Sequence, residues 1–184
     1  ADSDLERKLA QAAFGKWLVR NRIDAVMSEY GVVGADILDP CRHHNVPLIA
    51  HFHGYDAHSH AVLEEYKERY EQLFEHAQAF IAVSKHMRDH LISLGAPPEK
   101  THWNPCGVET SVFTAGNPAE APPVFVSVGR FVDKKAPYLV ILAFQKVWQL
   151  CPDARLVMIG EGPLHDVTSQ LVRALGLESC VELL

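Results

Sequence analysis

Apolar positions along this chain recur with two alternating periods. Over residues 4–21, Leu5, Leu9, Ala12, Ala13 and Trp17 share one helical face, with Asp2, Ser3 and Asp4 as cap candidates, which predicts an amphipathic helix. A short apolar run at 23–28 then reads as a strand, 32–44 as a helix and 47–52 as a second strand. The helical period returns over 59–76 through Val62, Tyr66, Tyr70 and Leu73, followed by a strand at 79–83 and a helix capped by Ser84 and closed by Gly95. Strand and helix alternate, and the strands are apolar throughout, so the pattern predicts an α/β fold with a parallel sheet covered on both faces.

The texture changes between residues 101 and 123. Asn104-Pro105-Cys106-Gly107 reads as a turn, and residues 116–123 are small, polar and proline-rich, as in an extended linker. The alternation restarts with a buried strand at 124–128, a helix at 137–150 with Pro137 in its first turn, a strand at 154–159, a helix at 163–175 and a strand at 180–184. Two Rossmann-like parallel-sheet halves are therefore expected, at 1–115 and 124–184, joined by a linker at 116–123.

Composition sets limits. The 184 residues are 48% hydrophobic and 22% charged, as in an ordinary folded domain, and no run approaches a transmembrane helix. The net charge of −6 argues against nucleic acid as a partner, because phosphodiesters call for a broad basic surface. Cys41, Cys106, Cys151 and Cys180 form no Cys-x-x-Cys pair, so they are expected to pack as small hydrophobes in a reduced, cytoplasmic protein. The N-terminus is neither a start methionine nor a signal peptide, which leads us to expect a chain that begins within something longer.

Against this acidic background, one loop is locally basic. Gly129-Arg130-Phe131-Val132-Asp133-Lys134-Lys135 lies between a strand and a helix start, where unpaired N–H groups and the positive dipole end already disfavour cations unless an anion is shared. Gly129 permits close approach, and Arg130 and Lys135 can grip phosphoryl oxygens. From these residues alone, a phosphate site and a solvated basic loop both stand. A second glycine-bearing loop, Gly160-Glu161-Gly162, follows the next strand, and ligands of open α/β sheets lie beyond the carboxyl ends of the strands. Neither loop matches the dinucleotide or Walker fingerprints.

Taken together, Ser127-Val128-Gly129-Arg130 with Lys135, Ile159-Gly160-Glu161-Gly162-Pro163 and Leu175-Gly176-Leu177 resemble the donor domain of glycosyltransferase family four, retaining enzymes of the GT-B fold. His51-Phe52-His53-Gly54-Tyr55-Asp56, Ala82-Val83-Ser84-Lys85 and Asn104-Pro105-Cys106-Gly107-Val108-Glu109 resemble its acceptor-side half. The resemblance implies transfer of a sugar from a nucleotide-diphosphate sugar to a glycan, lipid-linked or small-molecule acceptor, in polysaccharide or cell-envelope glycan synthesis. It implies that Gly129, Arg130 and Lys135 bind the donor diphosphate, with Gly160, Glu161 and Gly162 as a donor-side loop. His53, with Gly54 and Asp56, would face the sugar and acceptor, and His53, Arg130 and Lys135 would be catalytic.

The same resemblance implies no metal and no cofactor beyond the donor itself, and leaves peripheral contact with the inner face of a membrane open. Ala136 stands where the family usually has glycine, a change expected to cost little at a helix start. The family's paired glutamates and its first strand with a glycine-rich loop fall outside residues 1–184, so this chain alone is expected to be inactive or barely active.

Eleven histidines call for their own reading. His51, His53, Asp56 and His58 invite comparison with a metal-dependent hydrolase, but the intervals are out of register with the His-x-His-x-Asp-His pattern. That hydrolase is one alternative to the transferase; a degenerate nucleotide-binding module is another. Tyr66, Tyr70 and Phe74 are read as core, not as a sugar platform.

Overall fold

The computed structural model describes residues 2–184, with side chains from Leu5 onward, so the cap candidates Asp2, Ser3 and Asp4 lie outside the described side chains. The chain divides into two compact units, Ala1–Glu109 and Thr110–Leu184. In the first, α1 (Asp2–Arg20) leads into β1 (Val26–Glu29), α2 (Gly31–His43), β2 (Leu48–Phe52), a single turn α3 (Tyr55–His58), α4 (His60–His76), β3 (Ala79–Ala82), α5 (Lys85–Ser93) and β4 (Thr101–Trp103). All four strands are parallel, in the order β1-β2-β3-β4. The Ser84 hydroxyl accepts from the Met87 N–H at 3.1 Å, which caps α5 as the sequence predicts.

Right-handed crossovers between strands laid down in one direction put the connecting helices on the same face of the sheet. Leu48, Ala50 and Phe52 are accordingly buried against Leu38, Leu73, Phe74 and Leu91, while Ile49 and His51, on the other face, are only partly so. A sheet covered on both faces was expected; one face is covered here. Tyr70 and Phe74 belong to this core, with Tyr66 packed beside it.

The predicted face of α1 is also corrected. Leu5, Leu9, Ala12, Ala13 and Trp17 are all exposed, and the helix packs on α2 through Gly15 and Leu18, flanked by Gln11 and Phe14. A Cβ at Gly15 would come within 2.7 Å of the His44 ring, so the contact depends on the residue that an apolar count overlooks.

Residues 104–123 are exposed throughout and contain no helix or strand. The second unit then consists of β5 (Val124–Val128), α6 (Pro137–Leu150), β6 (Arg155–Ile159), α7 (His165–Ala174) and β7 (Val181–Leu183), with parallel order β5-β6-β7. Its core gathers Phe131, Ile141, Phe144, Leu156, Met158, Val172 and Leu177. The strand read as buried, β5, is instead a sheet edge: Val124, Phe125, Val126 and Val128 are all exposed, because apolar composition marks a strand without saying whether its faces are covered.

Two of the four cysteines, Cys41 and Cys180, are buried as small hydrophobes, and burial pushes both thiols up, Cys41 to about 11. Cys106 departs from that expectation and is exposed in the segment after β4.

Candidate functional site

Parallel register brings distant residues together at the carboxyl edge of the first sheet. Glu29, the last residue of β1, is the strand partner of His51 in β2, and His53 follows one residue past the end of β2. The Glu29 carboxylate meets the His53 ring in a short Oε2 to Nε2 contact, and His51 Nδ1 lies 3.1 Å from the same oxygen. That second approach acts mainly through charge, since neither buried ring nitrogen of His51 makes a well-aligned hydrogen bond in the protein. The His53 hydrogen bond is the main reason the Glu29 carboxyl is held below its ordinary value of 4.5, with the charges of both imidazoles reinforcing it and desolvation opposing it.

Tyr30, between β1 and α2, completes this edge. Its φ of 79° and ψ of 136° form a region that residues with a Cβ avoid, at a cost of about 1–3 kcal/mol. The strain is held by the Tyr30 N–H donating to the His51 carbonyl at 2.8 Å, and the ring lies 4.9 Å from that of His53 and 5.4 Å from that of Tyr55.

Asp56 does something other than face a ligand. It is fully buried, and its carboxylate accepts from the N–H groups of Gly31 at 2.9 Å, His53 at 3.1 Å and Gly54 at 2.7 Å. Its own carbonyl accepts from the Tyr70 hydroxyl at 2.7 Å. Asp56 therefore fixes the loop that carries His53. Gly54, at φ 138°, has open space beside its Cα and lies on the accessible side of that loop.

The four-residue metal grouping read from sequence does not form. Asp56 is turned onto backbone N–H groups, and His58 Nδ1 faces the Gly54 carbonyl at 3.1 Å in a column of rings with His86 and His90. The cluster the fold does assemble is Glu29, His51 and His53.

At the carboxyl edge of the second sheet, Ser127, Gly129, Arg130, Lys135 and Pro137 line one cavity of about 70 Å³. Phe131 is fully buried and anchors the loop, so the adjacent Arg130 and the nearby Lys135 stay exposed on a fixed backbone. Asp133, Lys134 and Lys135 form a 3₁₀ turn leading to Pro137, the first residue of α6. Among the described residues, neither Arg130 nor Lys135 has an internal carboxylate partner, and a Cβ at Gly129 would meet nothing within 4 Å. Two cations without an internal carboxylate partner thus stand beside the first turn of α6, next to backbone that is open to approach.

The second glycine loop braces the first. Gly129 donates to the Ile159 carbonyl at 2.9 Å and Phe131 to that of Glu161 at 2.8 Å. Gly160, at φ 145°, and Gly162, at φ 152°, pass so close that a Cβ would sit 2.2 Å from the Gly129 oxygen and 2.4 Å from the Phe131 oxygen. These glycines are required by contact between loops. Ala136, expected to be a cheap replacement for glycine, has φ 44° and ψ 57°, a left-handed conformation costing about 1–2 kcal/mol for a residue with a Cβ. A larger hollow of about 360 Å³, lined by Cys41, Pro47, Leu48 and Gln78, lies where β2 and β3 begin, the edge opposite to that at which such sheets bind ligands.

Comparison with known proteins fits both units. The model of Glycosyltransferase Family 4 matches residues 4–112, more than half of the chain. This chain belongs to that family. The model of Glycosyl transferases group 1 matches residues 109–184. A Salmonella typhimurium protein named as a colanic acid biosynthesis glycosyltransferase, WcaL, is 30% identical over 138 residues, and the amylovoran biosynthesis glycosyltransferase AmsK of Erwinia amylovora is 30% identical over 134. Each match takes in 72% of this chain and 33% of the relative, so the chain spans a third of their length. Among solved structures, Anabaena Alr3699/HepE in complex with UDP shares the fold with a TM-score of 0.78 at 16% identity, over 95% of this chain and 50% of that one. The lipopolysaccharide outer core galactosyltransferase WaaB shares it at 0.64 and 18% identity, over 98% and 49%. The units are Rossmann-like halves of the GT-B kind.

Proposed function

We propose that this chain works in a glycosyltransferase that moves a sugar from a nucleotide-diphosphate donor to a glycan, lipid-linked or small-molecule acceptor with retained configuration, in polysaccharide or cell-envelope glycan synthesis in the cytoplasm. The observation that carries this reading is the single cavity shared by Gly129, Arg130 and Lys135. Arg130 offers a fork of donors and Lys135 a point charge, so together they hold the diphosphate and neutralise the negative charge that grows on it as the glycosidic bond breaks. Two fixed cations supply the leaving-group stabilisation for which other transferases use a metal ion, so this step requires none.

On the acceptor side, His53 is the residue we assign to the sugar. Donation from its Nε2 to Glu29 leaves Nδ1 as the atom that accepts from a sugar hydroxyl, and Asp56 and Gly54 fix and clear the loop around it. Gly160, Glu161 and Gly162 hold the diphosphate loop in shape.

Nucleotide titration followed by thermal denaturation tests the assignment. The solved relative holding UDP makes that nucleotide the first to try. A ligand that prefers the folded state raises the unfolding midpoint, and the rise should vanish in an Arg130→Ala, Lys135→Ala double variant. An equal rise in that variant would remove the diphosphate role of both residues.

A further inference from the structure

We propose that Glu29, His51 and His53 form a binding site for a divalent transition-metal ion such as Zn²⁺. One carboxylate oxygen and one nitrogen from each ring all lie within 4.8 Å of one another, with His51 Nδ1 at 3.1 Å from Glu29 Oε2. Donors around a tetrahedral zinc ion at about 2.0–2.1 Å stand roughly 3.3 Å apart, so small side-chain rotations bring this set to a common centre. Two imidazoles and a carboxylate suit zinc, cobalt or nickel far better than magnesium or calcium, which prefer oxygen donors.

The cluster also has an unmet need. Both ring nitrogens of His51 are buried without a hydrogen-bond partner, and the side chain is only 15% exposed, so it cannot turn freely to water. A metal ion would give one of those nitrogens the well-aligned partner that Glu29, 3.1 Å from Nδ1, does not supply. The rings of His51 and His53 are already neighbours, with centroids 4.1 Å apart and planes tilted by 50°. Their backbones are fixed by strand pairing and by Asp56, which limits the ordering that binding would require. The half-exposed Glu29 leaves one side open for water or another ligand.

The ion is not a cofactor of the transfer proposed above. On that reading, metal at Nε2 of His53 moves the ring proton to Nδ1 and turns an acceptor toward the sugar into a donor, so zinc would inhibit. Binding itself does not depend on that reading, and a failure to bind metal would leave it intact.

Cobalt is the probe, because its visible absorption reports coordination. The chain, carrying Cys106→Ser to remove the exposed thiol, is titrated with Co²⁺ at neutral pH, and Zn²⁺ is then added in competition. We expect one equivalent bound with a low-symmetry cobalt spectrum and displacement by zinc. Glu29→Gln and His51→Ala should each weaken binding at least tenfold, with unchanged circular dichroism in the absence of metal. No binding, or binding that both variants leave unchanged, overturns the site; should His51→Ala fail to fold, Glu29→Gln at the exposed position decides alone.

Discussion

The carboxylate of Asp56 and the backbone N–H of Gly31 meet at 2.9 Å in full burial, tying the turn after β2 to the first residue of α2. Because two further N–H groups, of the partly buried His53 and Gly54, use the same carboxylate, Asp56→Ala leaves three donors without their acceptor, that of Gly31 in full burial. Each lost partner costs about 1–3 kcal/mol, so we expect the first unit to lose about 3 kcal/mol or more in urea unfolding. A loss below about 1 kcal/mol would show that the loop finds other partners.

Glu29 titrates below the ordinary carboxyl value because His53 donates to it. A group whose pKa is lowered by folding adds stability above its unfolded value of 4.5 and loses that contribution as the pH falls through the folded value. Carbon-detected NMR of the Glu29 carboxyl should therefore give a midpoint below 4.5 that moves back up in His53→Ala. A midpoint indifferent to His53 would contradict the contact.

Three small substitutions separate brace from binding surface. Gly160→Ala puts a Cβ 2.2 Å from the Gly129 oxygen at a φ of 145° and should cost about 2 kcal/mol or more. Ala136→Gly relieves a left-handed alanine and should gain about 1 kcal/mol. Gly129→Ala meets open space, so its stability should stay within about 0.5 kcal/mol while nucleotide affinity falls. Denaturant curves for the three variants, with a binding titration for the last, check all of these.

Thiol labelling checks the packing of both units. Cys106 should react with an alkylating reagent at pH 8 within the native state, whereas Cys41, buried and raised to about 11, and Cys180 should react only on unfolding. Mass spectrometry of digested, pulse-labelled protein reads each site. Fast native labelling of Cys41 would mean that the α2 packing opens.

What the sequence makes legible is what local chemistry decides. Pro137 and the apolar spacing behind it mark the start of α6, and Ser84 marks that of α5, because caps and periodicity are properties of a few adjacent residues. Glu29 escapes such reading. Its partners lie 22 and 24 positions away and meet it only through parallel register, and its one local signal is an acid at the end of a short strand. The role of Asp56 escapes for the same reason, since an acid beside a histidine looks like a ligand until its burial is known. The exposed face of β5 and the packed face of α1 depart from the apolar pattern because that pattern records what could be buried, whereas glycines such as Gly15 decide how closely elements approach.

The central claim is that Arg130 and Lys135 hold a diphosphate, and phosphorus NMR of bound UDP reads those atoms directly. We expect both phosphorus lines to shift and broaden as the chain is added, with affinity falling about 10- to 100-fold in Arg130→Ala and again in Lys135→Ala, the loss of one charge-assisted contact each. Unmoved phosphorus lines, or affinities that neither substitution alters, would contradict it.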